Sequence, residues 1–413
     1  MAGIKAFKAL RPSHDMAATI AALPYDVYGR TEAREYVEAH PHSFLAIDRP
    51  ESTLSPDADM YADSTYDRAE ELLSLWIREG SFIRESEDCL YLYELTMNGR
   101  SQTGIVGCAF VDEYDSGVIK KHENTLAAKE EDRVHHIDTT STQTGPIFLA
   151  YRHSDVLSDI VLANKESDPI YDFETEDGIG HRVWRIADPA VIAAITEGMA
   201  AAGDLYIADG HHRAASAVRV SHMRRDAAGD FSGEEEYNYF LSVMFPDDEL
   251  FIMDYNRVVS DTNGYDTQGL LLEIEKCCDR IRESESPVHP EHKGEFALYI
   301  SGKWILYSFK DSIRSDDAVA GLDVSILQEH ILTPVLGIGD PRTDERIRFV
   351  GGIRGYGELE KQAGTDGVAF AMYPTSMSEL LKVADEGRLM PPKSTWFEPK
   401  LLSGLFLHEI ERI

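Results

Sequence analysis

Residues 205–217 read Leu205-Tyr206-Ile207-Ala208-Asp209-Gly210-His211-His212-Arg213-Ala214-Ala215-Ser216-Ala217. Leu205 to Ala208 form a short apolar run of the kind buried in a parallel or mixed sheet. Asp209-Gly210 interrupts it with turn chemistry, and the alanine-rich segment that follows favours helix. The stretch therefore predicts strand, tight turn and helix in succession. Its turn gathers a carboxylate, a glycine, two imidazoles and a guanidinium within five residues. Backbone amides at a helix N-terminus favour an anion, and the helix dipole adds to the attraction. Arg213 offers a bidentate grip on phosphate oxygens, and Gly210 lets the backbone approach a ligand closely. Asp209 is a candidate metal ligand or proton acceptor. The plainer alternative leaves His211 and His212 as exposed turn residues and pairs Arg213 with a surface acid.

Outward from this corner, strand and helix signals alternate along the chain, which argues for a mixed α/β (α+β) protein. Before it come a strand over 146–151 and a helix over 188–201. Earlier still, two β-rich runs (90–97 and 101–113) flank Asn98-Gly99, a strong hairpin signal, and apolar spacing predicts a helix over 61–80 that Gly80 closes. Residues 226–236 are polar and acidic and read as a surface loop. Strand character resumes at 239–245 and 250–257, and a second hairpin turns at Gly302. The last third predicts helices over 324–332, 358–362 and 376–386 and strands over 347–350 and 368–373. With 413 residues the chain exceeds what one core usually organises, so two domains are expected, 1–235 and 236–413, with a boundary near 225–240.

Acidic residues outnumber basic ones 73 to 40, a formal net charge of −33. Such a surface repels phosphodiester backbones and anionic membranes, so neither nucleic acid nor membrane is an expected partner. No run approaches the roughly 18–20 apolar residues of a membrane span, and the N-terminus does not read as a signal peptide. A cytoplasmic protein is expected. Cys89, Cys108, Cys277 and Cys278 form no Cys-x-x-Cys pair and are read as reduced thiols.

Three further constellations carry chemistry. The first is Lys120-Lys121-His122-Glu123, followed by Lys129, Glu130, Asp132, Arg133, His135 and His136, the most basic stretch of an acidic chain. Lys121, His122, Lys129 and Arg133 are candidate phosphate ligands there, and Lys129 and Arg133 share a helix face. Glu123 is a candidate general base. A salt-bridged surface helix over 126–136 is the alternative. The second is Arg342-Thr343-Asp344 with Phe349-Val350-Gly351-Gly352-Ile353-Arg354-Gly355, a strand and glycine loop lacking the spacing of a dinucleotide fingerprint or P-loop. The third is Met390-Pro391-Pro392-Lys393-Ser394-Thr395-Trp396-Phe397-Glu398-Pro399-Lys400, where Lys393, Ser394 and Thr395 are placed to reach a phosphate. A zinc site among His122, His135, His136, His211 and His212 has no spacing that fixes its geometry.

Phe7-Lys8-Ala9-Leu10-Arg11-Pro12, Leu23-Pro24-Tyr25-Asp26-Val27, Lys120-Lys121-His122-Glu123, Asp209-Gly210-His211-His212-Arg213, Phe349-Val350-Gly351-Gly352 and residues 391–400 together resemble the DUF1015 family across nearly the whole chain. The Asp209 corner also resembles the phosphate-binding motif of the ParB/sulfiredoxin superfamily, whose free-serine kinases carry Asp-Gly-His-Thr-Arg. Asp209, Gly210, His211 and Arg213 match, and His212 replaces the threonine. The resemblance implies a ParB/sulfiredoxin-like N-terminal core with a second α/β domain. It also implies phosphoryl transfer to the hydroxyl of free L-serine from ATP, ADP or pyrophosphate with Mg²⁺, for which Asp209 is the candidate ligand. Catalytic residues would be Glu123, Asp209, His211, His212 and Arg213. Lys121, His122, Lys129, Arg133, Gly210, Arg354, Lys393, Ser394 and Thr395 would hold phosphate or nucleotide. A homodimer is compatible with the sequence. A nucleotide-hydrolysing regulator of ParB type, without a small-molecule acceptor, is the second reading.

Overall fold

A computed structural model describes residues 2–412. The chain falls into two compact units. The first comprises residues 2–121, 125–250 and 399–412; the second comprises 122–124 and 251–398. Of the polar stretch 226–236 expected as a loop, residues 226–228 are the last turn of a helix that runs to Ala228 and only 229–235 are loop, and the stretch lies inside the first unit. The strand that follows it is central to that unit's sheet, so the chain divides at Leu250 and Phe251.

The first unit is built on eight strands: β1 (Leu90–Met97), β2 (Arg100–Phe110), β3 (Ile119–Lys120), β4 (Ile147–Tyr151), β5 (Tyr171–Glu174), β6 (Gly180–Ile186), β7 (Leu205–Asp209) and β8 (Tyr239–Pro246). They lie in the order β3-β7-β4-β8-β2-β1-β6-β5. The pairs β7–β3 and β8–β4 are parallel and the others antiparallel, so the sheet is mixed. The β1–β2 hairpin turns through Asn98 and Gly99, both at positive φ, as that dipeptide predicts. After Phe110 the chain leaves the sheet in a helical turn, Val111–Asp115, so the second hairpin strand is shorter than its β-rich sequence suggests.

Four helices matter to the first unit: α1 (Asp63–Arg78), α2 (Ala127–Thr140), α3 (Pro189–Ala202) and α4 (His211–Ala228). Val134 and Ile137 of α2, Ile195 and Met199 of α3, and Ala217 and Val220 of α4 join Ile105, Leu149, Ile207 and Met244 of the sheet in one buried cluster. Burying each large aliphatic side chain contributes roughly 1.5–3 kcal/mol, so α2 and α4 are fixed to the sheet by their apolar faces. A second cluster joins α1, through Leu72, Leu73 and Trp76, to Phe44, Ile47 and Phe82.

The second unit has a six-stranded antiparallel sheet. Its strands are β9 (Tyr255–Val259), β10 (Cys278–Ser284), β11 (Glu295–Ile300), β12 (Lys303–Phe309), β13 (Ile347–Gly351) and β14 (Val368–Met372), in the order β10-β12-β11-β14-β9-β13. Trp304, Ala297, Ala369 and Leu359 belong to its core. Among the described residues no helix is long and apolar enough to cross a membrane.

Candidate functional site

Strand β7 runs into α4 through Gly210. The pairing of β7 with β4 aligns Ile207 with Leu149 and then Asp209 with Phe148, so Ala208 is an extra residue in the ladder. A bulge of this kind re-aims the side chains beyond it and recurs beside active sites. Gly210 then takes the left-handed conformation, φ 90° and ψ 31°, and α4 begins at His211. Only glycine adopts this backbone without penalty.

The corner is cationic around one carboxylate. Lys400 places Nζ 3.5 Å from Asp209 Oδ2, and Arg213 places Nη2 3.6 Å from the same oxygen. Burial by itself would raise the Asp209 carboxyl. The charges of Lys400, Arg213 and His211, with a hydrogen bond from the Gly210 amide, override it and hold the group well below the usual carboxylate range. Arg213 also donates from Nη1 to the carbonyl of Pro146 at 2.5 Å. Pro146 directly precedes β4, so the guanidinium ties the turn after β7 to the start of the neighbouring strand. Gly145 belongs to the same approach: a Cβ there would meet Ser403 Oγ at 3.1 Å and Arg213 Nη1 at 3.5 Å.

His211 is buried, which removes the alternative of two exposed turn imidazoles. His212 is half-buried, and its Nε2 accepts the Leu126 amide at 2.9 Å. Leu126 is the N-cap residue of α2, so this imidazole satisfies an amide at the head of a helix that has no side-chain cap of its own. The two helices are joined again by Ser216 Oγ, which donates to the carbonyl of Glu130 at 3.0 Å, and by Arg219, 2.6 Å from Glu131.

The basic stretch at 120–133 does not converge on one ligand. Lys120 pairs with Asp204 at 2.7 Å, Lys121 lies 5.4 Å from the centre of the Tyr114 ring, and Lys129 is exposed on α2. Arg133 is buried. It pairs with Asp132 at 2.8 Å, donates to the carbonyl of Asp48 at 3.2 Å and stacks 4.1 Å from the Tyr25 ring centre. Lys129 and Arg133 are four residues apart, yet one meets solvent and the other the interior, because the face they share borders the seam where α2 is buried. Arg133 and Arg213 do line one cavity of about 30 Å³, with Tyr25, Asp48, His136 and Thr144. His135 pairs with Glu131 and His136 Nε2 with the carbonyl of Ile47, so these two imidazoles serve the fold.

His122 and Glu123 belong to the second unit. There His122 Nε2 lies 3.4 Å from Thr395 Oγ1, and the His122 carbonyl accepts the Met390 amide at 2.8 Å. The loop holding Lys393, Ser394 and Thr395 is built inward. Ser394 Oγ donates to Pro391 at 2.6 Å, and Thr375 donates to the Ser394 carbonyl at 3.0 Å. The Lys393 carbonyl accepts from buried Arg257 at 3.0 Å. Trp396 packs edge-on against Tyr255 and donates to Glu398. Arg354 is exposed at the end of a short 3₁₀ turn. Arg342 pairs with Asp340 and Asp344 with Arg346, a surface arrangement.

Lys400 is the functional candidate that sequence reasoning missed. It sits in the last described stretch, about 190 residues from the corner by sequence order, and only the return of residues 399–412 to the first unit brings it to Asp209. The two cations beside Asp209 both approach Oδ2. Asp209 contributes its one carboxylate to two cations, and a divalent ion at that oxygen would meet like charge.

Solved structures similar to the chain include a free serine kinase variant in complex with ADP, at 15% identity over 75% of this chain and 92% of that chain, with a TM-score of 0.36. Another is SbnI with a C-terminal truncation from Staphylococcus aureus, at 13% identity over 74% and 87%, with a TM-score of 0.39. A third is a conserved hypothetical protein from Pyrococcus furiosus, at 15% identity over 73% and 94%, with a TM-score of 0.32. No curated protein matches the chain by sequence. The family model for DUF1015, a protein of unknown function, matches residues 4–325, and the chain, a mixed α/β protein with its Asp-Gly-His-His-Arg corner inside the matched span, belongs to the DUF1015 family.

Proposed function

We propose that the protein is a small-molecule phosphotransferase that moves a phosphoryl group from ATP, ADP or pyrophosphate to the hydroxyl of free L-serine, forming O-phosphoserine. One observation carries this reading: Lys400, Arg213 and His211 surround Asp209 where β7 meets the N-terminus of α4. Phosphoryl transfer asks a protein for alignment and for neutralisation of charge on the phosphate oxygens more than for covalent chemistry. A helix N-terminus with a lysine and an arginine beside it supplies both.

In this reading Lys400 and the α4 amides hold the donor phosphate. Arg213, tied to Pro146, keeps the turn in place, and His211 adds a donor from the buried side. Asp209 stays ionised across the physiological range and orients the two cations; a carboxylate held that low is a weak base. The hydroxyl proton goes to a different carboxylate, for which Glu123 is the candidate. Four of five positions shared with the free-serine kinase motif favour serine as the acceptor.

The test is to incubate the protein with ATP, ADP or pyrophosphate, Mg²⁺ and L-serine and to follow O-phosphoserine by mass spectrometry. The expected result is serine-dependent product with one donor, reduced at least tenfold in Lys400→Met and Asp209→Asn. Donor hydrolysis that ignores serine would point instead to a nucleotide-hydrolysing regulator, and no turnover with any donor would remove the proposal.

A further inference from the structure

Cys277 and Cys278 are adjacent where the turn after helix α5 (Thr267–Ile274) enters β10. Their sulfurs lie 3.7 Å apart. The local backbone is tied on both sides: the Cys277 amide donates to Ile274 at 3.1 Å, and the Cys277 carbonyl accepts from Lys310 at 3.0 Å. Cys277 is half-buried and Cys278 buried. Lys310 crosses above them, its Nζ donating to the carbonyls of Glu275 at 2.6 Å and Lys276 at 3.2 Å, with Asp279 3.9 Å from the same nitrogen.

The two thiols differ in kind. A hydrogen bond from Cys278, together with the Cys277 amide and Lys310, brings the Cys277 thiol down to about 7 against the opposing effect of burial. The bond to Cys277 and burial push Cys278 well up. A partly exposed sulfur with thiolate character beside a protonated thiol is the arrangement of a peroxide-sensing pair. The remaining cysteines contrast with it. Cys89 and Cys108 are fully buried, and burial raises both thiols, Cys89 to about 11.

We propose that Cys277 is a hydroperoxide-reactive thiolate, that Cys278 is its resolving thiol, and that the pair closes to a vicinal disulfide. In the first step the Cys277 sulfur attacks one oxygen of the peroxide and the O–O bond breaks. A sulfenic acid forms, and the departing hydroxide takes up a proton. In the second step Cys278 gives up its proton, its sulfur attacks the sulfenic sulfur, the S–O bond breaks and water leaves. The sum is two thiols and one hydrogen peroxide giving one disulfide and two waters, with two electrons passing from sulfur to oxygen. Closure must bring the sulfurs from 3.7 Å to about 2.0 Å.

The experiment treats the full chain with one equivalent of hydrogen peroxide, then maps peptides by mass. The peptide holding both cysteines is expected to lose about 2 Da and to regain it with dithiothreitol, while Cys89 and Cys108 stay reduced. In Cys278→Ser the reaction is expected to stop at a sulfenic acid on Cys277, captured by a dimedone probe; Cys277→Ser is expected to capture none. Absence of the mass loss in the native chain overturns the proposal, and it does so even where a variant fails to fold. Equal dimedone labelling of Cys277 in the native chain and in Cys278→Ser overturns the resolving role.

Discussion

Replacing Gly210 by alanine separates two forces that act at the corner. The first is backbone strain: Gly210 sits at φ 90°, and an L-residue in left-handed conformation costs about 1–2 kcal/mol. The second is a collision, since a Cβ there would lie 3.0 Å from both Nε and Nη2 of Arg213. The guanidinium cannot retreat freely, because Nη1 is bonded to Pro146 at 2.5 Å. If the added methyl breaks that bond, a further loss of about 1.5–3 kcal/mol follows, the usual value for a hydrogen bond to a charged group. Gly210→Ala is thus expected to destabilise the first unit by about 2.5–5 kcal/mol in the native chain. In an Arg213→Ala background only the backbone part, about 1–2 kcal/mol, is expected. The difference is a coupling energy read from a double-mutant cycle by urea denaturation, with hydrogen exchange of the 205–217 peptide locating the change. Equal costs in the two backgrounds would show that Arg213 does not rest on the glycine and would refute the geometry from which the anion cradle is argued.

Other expectations follow from the same reasoning. Lys400→Met removes one of the two cations beside Asp209, so its carboxyl should rise toward the ordinary value of about 3.9. Because a depressed carboxyl contributes stability above that value and loses it as pH falls, the acid-unfolding midpoint should move up in this variant; an unmoved midpoint contradicts the pairing. Burial pushes the Asp323 carboxyl up to about 6, against a hydrogen bond from the Gly294 amide at 2.8 Å. A raised carboxyl stabilises fully below the unfolded value and loses that contribution as pH climbs through 6. Asp323→Asn keeps the acceptor for Gly294 and should be more stable than the native chain by about 2–3 kcal/mol at pH 8, from the size of the shift, with the gap closing by pH 4. A gap that does not vary with pH would disprove it. His212→Ala leaves the Leu126 amide without its imidazole acceptor and should cost about 1 kcal/mol, seen as faster hydrogen exchange in residues 126–130.

Much of the architecture was legible locally. The Asn98-Gly99 hairpin, the strand-turn-helix at 205–217 and the helices over 127–140, 189–202 and 377–385 each carry their own signal of period, cap or turn residue. Boundaries were less legible. Residues 111–113 have strand-forming sequence but turn into a helix, because the hydrogen-bonding partner of β2 ends with Tyr239 opposite Phe110. The site was legible at its centre and illegible at its edges. Asp209, Gly210, His211 and Arg213 are contiguous, so their meeting needs no long-range fold. Arg133 read as a candidate phosphate ligand, with a salt-bridged surface helix as the alternative, and it is buried, since one turn of a helix carries residues from solvent to core and nothing in the spacing at 129 and 133 says which side meets the sheet.

What the amino-acid sequence alone determines here is the five-residue corner, its glycine and the mixed α/β alternation around it. These depend on backbone preferences and on contacts between near neighbours, which composition and order encode directly. Tertiary structure alone decides that Lys400 reaches Asp209, that Arg213 grips Pro146, that His212 serves the head of a helix 86 residues away, and that the last residues rejoin the first unit. Each of these is a meeting between side chains far apart in the chain, and such meetings are chosen by how apolar faces pack and how strands are ordered in the sheet.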